Sequence, residues 1–133
     1  MNIDIFDSEE FKKTEVYSNF VKEHKGSGNL KIRAFTTNEA LPVGDVHVIV
    51  SSLYENEKII FFDGYTDESG MISDISLPTT IINNDNLIVP IYTQYEIEAF
   101  FGESKINDYK VLMYDGVCVI QNILMSLGDN YGN

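Results

Sequence analysis

From Leu30 onward the chain alternates apolar and polar residues with a period of two. Leu30, Ile32 and Ala34 alternate with Lys31, Arg33 and Phe35, which predicts a first strand ending near Thr36. Val46, Val48 and Val50 alternate with His47, Ile49 and Ser51 in a second strand reaching about Leu53. Glu55-Asn56-Glu57 turns the chain into a third strand from Lys58 to Thr66, rich in Ile and Phe. Asp67-Glu68-Ser69-Gly70 reads as a hairpin turn into a fourth strand over 71–77. Gly70 suits the positive φ of a tight turn, and Asp67 and Ser69 carry side chains that satisfy turn backbone groups. Pro78 and Pro90 exclude central-strand geometry around them, and Asn83-Asn84-Asp85-Asn86 is a polar loop. Tyr95, Ile97 and Ala99 form the inward set of a fifth strand, with Glu96 and Glu98 outward. Gly102 to Asn107 reads as a turn, Tyr109 to Met113 as a sixth strand, and Val117 to Met125 as a seventh after the Asp115-Gly116 turn.

Upstream the period changes. Phe11, Tyr17, Phe20, Val21 and His24 follow three- and four-residue spacing, so residues 7–25 predict one amphipathic helix. Asp7 can cap it, with Glu10 three residues on, while Lys22, His24 and Lys25 suit its negative end. A lone helix of this length is marginal in water, so it needs the domain or a partner to dock on. Gly26-Ser27-Gly28-Asn29 is the one plausible boundary. The expected organisation is a helical extension over 1–27, a domain over 28–127 and a polar tail over 128–133. Seven short strands with Gly, Pro, Asn and Asp between them argue for an all-β, two-sheet antiparallel sandwich behind that helix.

Composition narrows the function classes. The 133 residues are 44% apolar, enough for a core without disulfides or metals. Nine basic against twenty-one acidic residues leave a net charge of −12, which repels nucleic-acid phosphates and anionic membranes. That charge attracts a basic partner or a divalent cation without specifying either; solubility alone explains it well. Cys118 is the sole cysteine, so no internal disulfide forms, and its run Val117-Cys118-Val119-Ile120 predicts a small buried hydrophobe. The first residues carry no basic region and no long apolar stretch, which argues against a secretory signal and a membrane span. A cytoplasmic protein, or one assembled into a larger particle, is expected.

Several phrases together resemble the carboxypeptidase regulatory-like domains. They are Gly28-Asn29-Leu30-Lys31-Ile32, Ala40-Leu41-Pro42-Val43, and Thr66-Asp67-Glu68-Ser69-Gly70 with Leu77-Pro78. Pro90-Ile91-Tyr92-Thr93-Gln94-Tyr95-Glu96-Ile97-Glu98 is similar to a stretch in versions from spore-forming anaerobic bacteria. Some of those versions form the N-terminal region of spore cortex-lytic enzyme precursors. The resemblance covers about residues 28–127 and implies a transthyretin-like (prealbumin-like) Greek-key sandwich. Asp45-Val46 and Phe101-Gly102 depart from the usual small and Gly-Tyr pairs, which implies local repacking. No peptidase or lytic domain is expected within these residues, and the resemblance carries over no catalytic residue.

Chemistry is sparse. His24 and His47 are the only histidines, and neither sits in a nucleophile or zinc motif. The transthyretin-like hydrolases of purine breakdown carry a C-terminal Tyr-Arg-Gly-Ser, where this chain ends Tyr131-Gly132-Asn133. Asp63, Asp67 and Glu68, or Asp85 among its Asn neighbours, offer oxygen ligands, but no alternating calcium loop is present and solvated turns are the stronger reading. No cofactor and no metal is expected. A Lys31–Asn122 isopeptide bond has the wrong parity, because Lys31 is out of phase with the inward Leu30 and Ile32.

Aromatic residues give the positive hint. Phe35, Phe100 and Phe101 fall opposite the core or at a strand end, as does one of Phe61 and Phe62, and clustered they would mark an interface. The competing reading is that the helix covers them with Phe11, Tyr17 and Phe20. The residues Phe11, Tyr17, Phe20, Phe35, Phe100 and Phe101 are thus the candidate partner-binding set. The expected function is a non-enzymatic interaction or structural module that binds a protein partner or itself, as part of a spore, cell-envelope or phage-like assembly. The alternatives are a regulatory, pro-domain-like partner of a cell-wall hydrolase, and a small glycan- or calcium-binding module.

Overall fold

A computed structural model describes residues 15–81 and 92–126. Among them are one helix, α1 (Glu15–Glu23), and seven strands. The strands are β1 (Gly26–Thr36), β2 (His47–Tyr54), β3 (Glu57–Tyr65), β4 (Met71–Thr79), β5 (Tyr92–Phe101), β6 (Ser104–Tyr114) and β7 (Cys118–Met125). They form two facing sheets, ordered β4-β1-β7 and β3-β2-β5-β6. The predicted sandwich is therefore what the chain builds. One pairing departs from the antiparallel expectation: β7 runs parallel to β1, from Asn29 opposite Cys118 to Thr36 opposite Met125.

The period-two sets form the core. Leu30, Ile32 and Ala34 of β1 face Val48 and Val50 of β2 and Tyr95, Ile97 and Ala99 of β5, all at most 2% exposed. Tyr95 carries its hydroxyl inward and donates it to the Pro78 carbonyl at 2.5 Å, bridging the two sheets. Burial pushes that phenol's pKa upward, since its charged form would have to leave water.

Bulges explain where simple parity fails. Val50 pairs Phe62 and Ser51 pairs Ile60, so Phe61 is an extra residue in β3. One of Phe61 and Phe62 was expected to face outward; both pack against the core because the bulge shifts the inward phase between them. A second bulge in β4, between Ile75 and Ile72, brings those two residues to the same side despite their odd spacing. A third places Ile106 as the extra residue of β6 and accompanies a shorter turn than expected. Only Gly102 and Glu103 turn there, and β6 already begins at Ser104.

The Asp67–Gly70 turn is not a hairpin. β3 and β4 belong to different sheets, so the turn is a corner that carries the chain across the sandwich. Its local chemistry is as read: Gly70 has φ +74°, and Asp67 Oδ1 accepts the Ser69 and Met71 amides at 2.9 and 3.0 Å. Thr66 fastens the corner from inside. Its hydroxyl donates to the Val43 carbonyl and accepts the Val46 amide.

The segment Gly26–Asn29, read as a linker, is the opening of β1 and pairs Thr79 through Ser76 of β4. The predicted helix is described from Glu15 only; Asp7, Glu10 and Phe11 lie outside the described residues. No helix among the described residues is long and apolar enough to cross a membrane.

Candidate interaction surfaces

The aromatic candidates divide into a packed group and a scattered one. Phe20 is 2% exposed and its ring meets Tyr54, Phe61 and Tyr95 at centroid distances of 5.2, 5.1 and 6.3 Å. Tyr17 is half-buried one turn earlier, 5.7 Å from Phe61. His24 stacks on Phe20 at 4.0 Å and donates Nδ1–H to the Phe20 carbonyl, closing the helix end. Glu23 accepts the Tyr54 hydroxyl and pushes that phenol up to about 12. The helix thus docks on its own sandwich. Phe20 is a core residue rather than a free contact, because the bulged Phe61 and the inward Tyr95 leave a pocket that it fills.

The remaining candidates do not meet. Phe35 alternates with inward Ala34 and lies on the outer face of the three-stranded sheet, under the Arg33 guanidinium at 5.5 Å. Phe100 alternates with inward Ala99 on the outer face of the other sheet. Phe101 ends β5 beside the turn, 37% exposed. Phe35 and Phe100 therefore stand on opposite sides of the sandwich and make no single patch. Phe11 lies outside the described residues.

Register assembles a row that sequence reasoning missed. Tyr65, His47, Phe100 and Lys105 are directly opposed across β3, β2, β5 and β6. His47 is held between Tyr65 at 4.7 Å and Phe100 at 5.6 Å, and its Nε2 donates to Asp63 Oδ1 at 2.6 Å. His47 stacks on Tyr65 and meets the Phe100 ring at a tilt, while Tyr65 remains exposed at the end of the row. Only knowledge of the cross-strand partners could have found this row, since its members lie in four separate strands.

Beside the row, Glu98 accepts from Lys58 Nζ at 2.9 Å and Lys105 Nζ at 3.3 Å, and Lys105 also reaches Asp108 at 2.9 Å. The Lys58 hydrogen bond, helped by Lys105, holds the Glu98 carboxyl below the usual carboxylate range against its partial desolvation. A group whose folded pKa is depressed stabilises the fold above its unfolded pKa and loses that contribution as pH falls through the folded value. Glu98→Gln is therefore expected to cost about 0.5–1 kcal/mol at pH 7. In urea unfolding the penalty should shrink towards zero below about pH 4, where the unfolded carboxyl protonates. An equal penalty at both pH values would remove the ion pairs from the account.

The edge strand β7 is the second surface. Its inward residues are Val119, Gln121, Ile123 and Met125; outward stand Cys118, Ile120, Asn122 and Leu124. Ile120 is 52% and Leu124 49% exposed, and Val117 just before the strand is 43% exposed. Cys118, expected in the core, is exposed because it opens the strand in its outward phase. Among the described elements β7 pairs only β1, so the backbone groups on its other edge have no strand partner, and one of them, the Asn122 carbonyl, accepts from its neighbour Gln121 Nε2 at 3.0 Å. On the same outer face Asn122 is exposed, so the Lys31–Asn122 pair lacks the burial that isopeptide chemistry needs.

Among the described residues no group of three His, Cys, Asp or Glu side chains is placed to hold a metal ion. Asp67 is engaged as the turn cap described above, and Asp85 lies outside the described residues. No family model matches the chain, and no curated protein matches it. Among solved structures it is similar to the 5-hydroxyisourate hydrolase of Klebsiella pneumoniae, with 14% identity over 74% of this chain and 84% of that one and a TM-score of 0.48. It is also similar to transthyretin from Sparus aurata, with 16% identity over 72% of this chain and 90% of that one and a TM-score of 0.44. Both are transthyretin-like fold proteins.

Proposed function

We propose that the protein is a non-enzymatic interaction or structural module, a rigid sandwich that joins a larger assembly through a sheet edge. The observation that carries this reading is β7, an edge strand with exposed Ile120 and Leu124 and no charged side chain. Strand addition at such an edge gives affinity through main-chain hydrogen bonds and specificity through alternate side chains. The two imidazoles support the reading from the other side: His24 closes a helix and His47 is held in a cross-strand row. The phrases resembling carboxypeptidase regulatory-like domains support it as well, with a spore, cell-envelope or phage-like particle as the setting.

The test is cross-linking in the cells that make the protein, comparing the chain with Ile120→Lys. A discrete cross-linked species, composed of this chain or of this chain and one other protein, is expected for the natural chain and should be lost in the variant. The same pattern for both chains, or no species with either, would sink the proposal.

A further inference from the structure

The four sheet edges among the described strands are not alike. The β4 edge carries Pro78, Asp74 and a bulge. The β3 edge carries Lys58, Asp63 and the Phe61 bulge. The β6 edge carries Lys105, Asp108, Lys110 and the Ile106 bulge. These are the devices by which edges resist pairing with another chain. Strand β7 has none: no proline, no Asp, Glu, Lys or Arg, and an unbroken register along β1. In a chain of net charge −12, two copies repel almost everywhere they could meet. The uncharged edge is where that repulsion is least.

The pattern along β7 also selects the occupant. Of its outward residues Cys118, Ile120, Asn122 and Leu124, the last three run apolar–polar–apolar, an order that is the same in both directions. A two-fold interface requires such self-complementarity, because each surface meets its own image. Antiparallel pairing about Asn122 sets Asn122 against Asn122 of a second copy, with Ile120 against Leu124 on each side. The same register sets Val119 against Met125 and Gln121 against Ile123 on the inward face, so no apolar residue changes side.

We infer that the protein forms a two-fold dimer by antiparallel pairing of β7 with β7 of a second copy, joining two three-stranded sheets into one of six. This inference rests on the proposed function and names the partner for its edge. The test is sedimentation of the full chain together with a cross-link set by register. The natural chain should be dimeric with a Kd well below about 1 mM. Ile120→Lys should be monomeric yet folded, melting with the natural chain at concentrations below the dimer Kd, because the side chain is exposed in the monomer. In a Cys118→Ser background, Asn122→Cys should oxidise to a covalent dimer. Opposed residues lie about 4.5–5.5 Å apart, within the disulfide range of about 4.4–6.8 Å. Leu112→Cys, on the β6 edge, should not. A natural chain that stays monomeric, a dimer that survives Ile120→Lys, or equal cross-linking at 112 and 122 would each overturn the inference. A monomer whose β7 becomes protected from hydrogen exchange by a different protein would overturn self-pairing and leave the interaction reading standing.

Discussion

Gly70→Ala is expected to cost about 3–5 kcal/mol, the largest effect of any single methyl group added to the described surface turns. Two terms combine. At φ +74° an L side chain is strained by about 1–2 kcal/mol. The new Cβ would also fall on the Ala34 carbonyl oxygen, with the Val43 amide 3.0 Å and Pro42 Cβ 3.3 Å away. That carbonyl already accepts the Val43 amide at 3.0 Å, and the Ala34 amide donates to the Gly70 carbonyl at 2.8 Å. Relief therefore requires moving the backbone of β1 or of the 42–43 segment, and each backbone hydrogen bond lost costs about 1 kcal/mol. Gly116 separates the two terms, because its φ is +77° and a Cβ there meets nothing within 4 Å. Gly116→Ala should show only the conformational part, about 1–2 kcal/mol. Urea unfolding of the two variants measures the difference; equal midpoints would mean that the corner is not closed around Gly70.

That corner also shows what a sequence can and cannot say. Asp67 and Gly70 announce a reversal through their own backbone needs, and the structure has the reversal. Whether the chain returns beside the strand it left, or crosses to the other sheet, depends on which edge accepts β4. That edge belongs to β1, some forty residues upstream, and no local signal names it. The same limit applies to the parallel β1–β7 pair.

Inward residues were legible where strands lie centrally and keep strict alternation, as Leu30, Ile32 and Ala34 do, and Tyr95, Ile97 and Ala99. Legibility failed at Phe61, where one inserted residue moves the inward phase. It failed at Cys118 for a different reason. An edge strand with apolar residues on both faces reads as a continuous hydrophobic run, and a run carries no parity from which to assign a side. The interaction surfaces follow suit. Phe100 was visible as an outward aromatic, but its partners His47, Tyr65 and Lys105 come from three other strands and need the register. The uncharged character of β7 was open to view throughout; its meaning required knowing that β7 is an edge.

Phe20→Ala should lower stability by about 3–5 kcal/mol, the cost of emptying an aromatic site in a packed core. The ring is enclosed by His24, Tyr54, Phe61 and Tyr95, and an isolated amphipathic helix is marginal in water without such a docking site. Loss of the ring should therefore release the helix as a unit, leaving Phe61 and the top of Tyr95 open to solvent. Proteolysis between Glu23 and Gly26 should accelerate in step with the fall in melting temperature. Val21→Ala provides the contrast, since Val21 is 36% exposed and should change stability by no more than about 0.5 kcal/mol. A point substitution is the sharper probe here than removal of the helix, because a chain beginning at Gly28 would also lose the Gly26–Thr79 and Ser27–Pro78 pairs of β1. If Phe20→Ala melts with the natural chain, the helix is not a lid on its own sandwich, and its aromatic face becomes available to another molecule. If it melts as expected, the helix closes its own core, and the β7 edge carries the case for a partner.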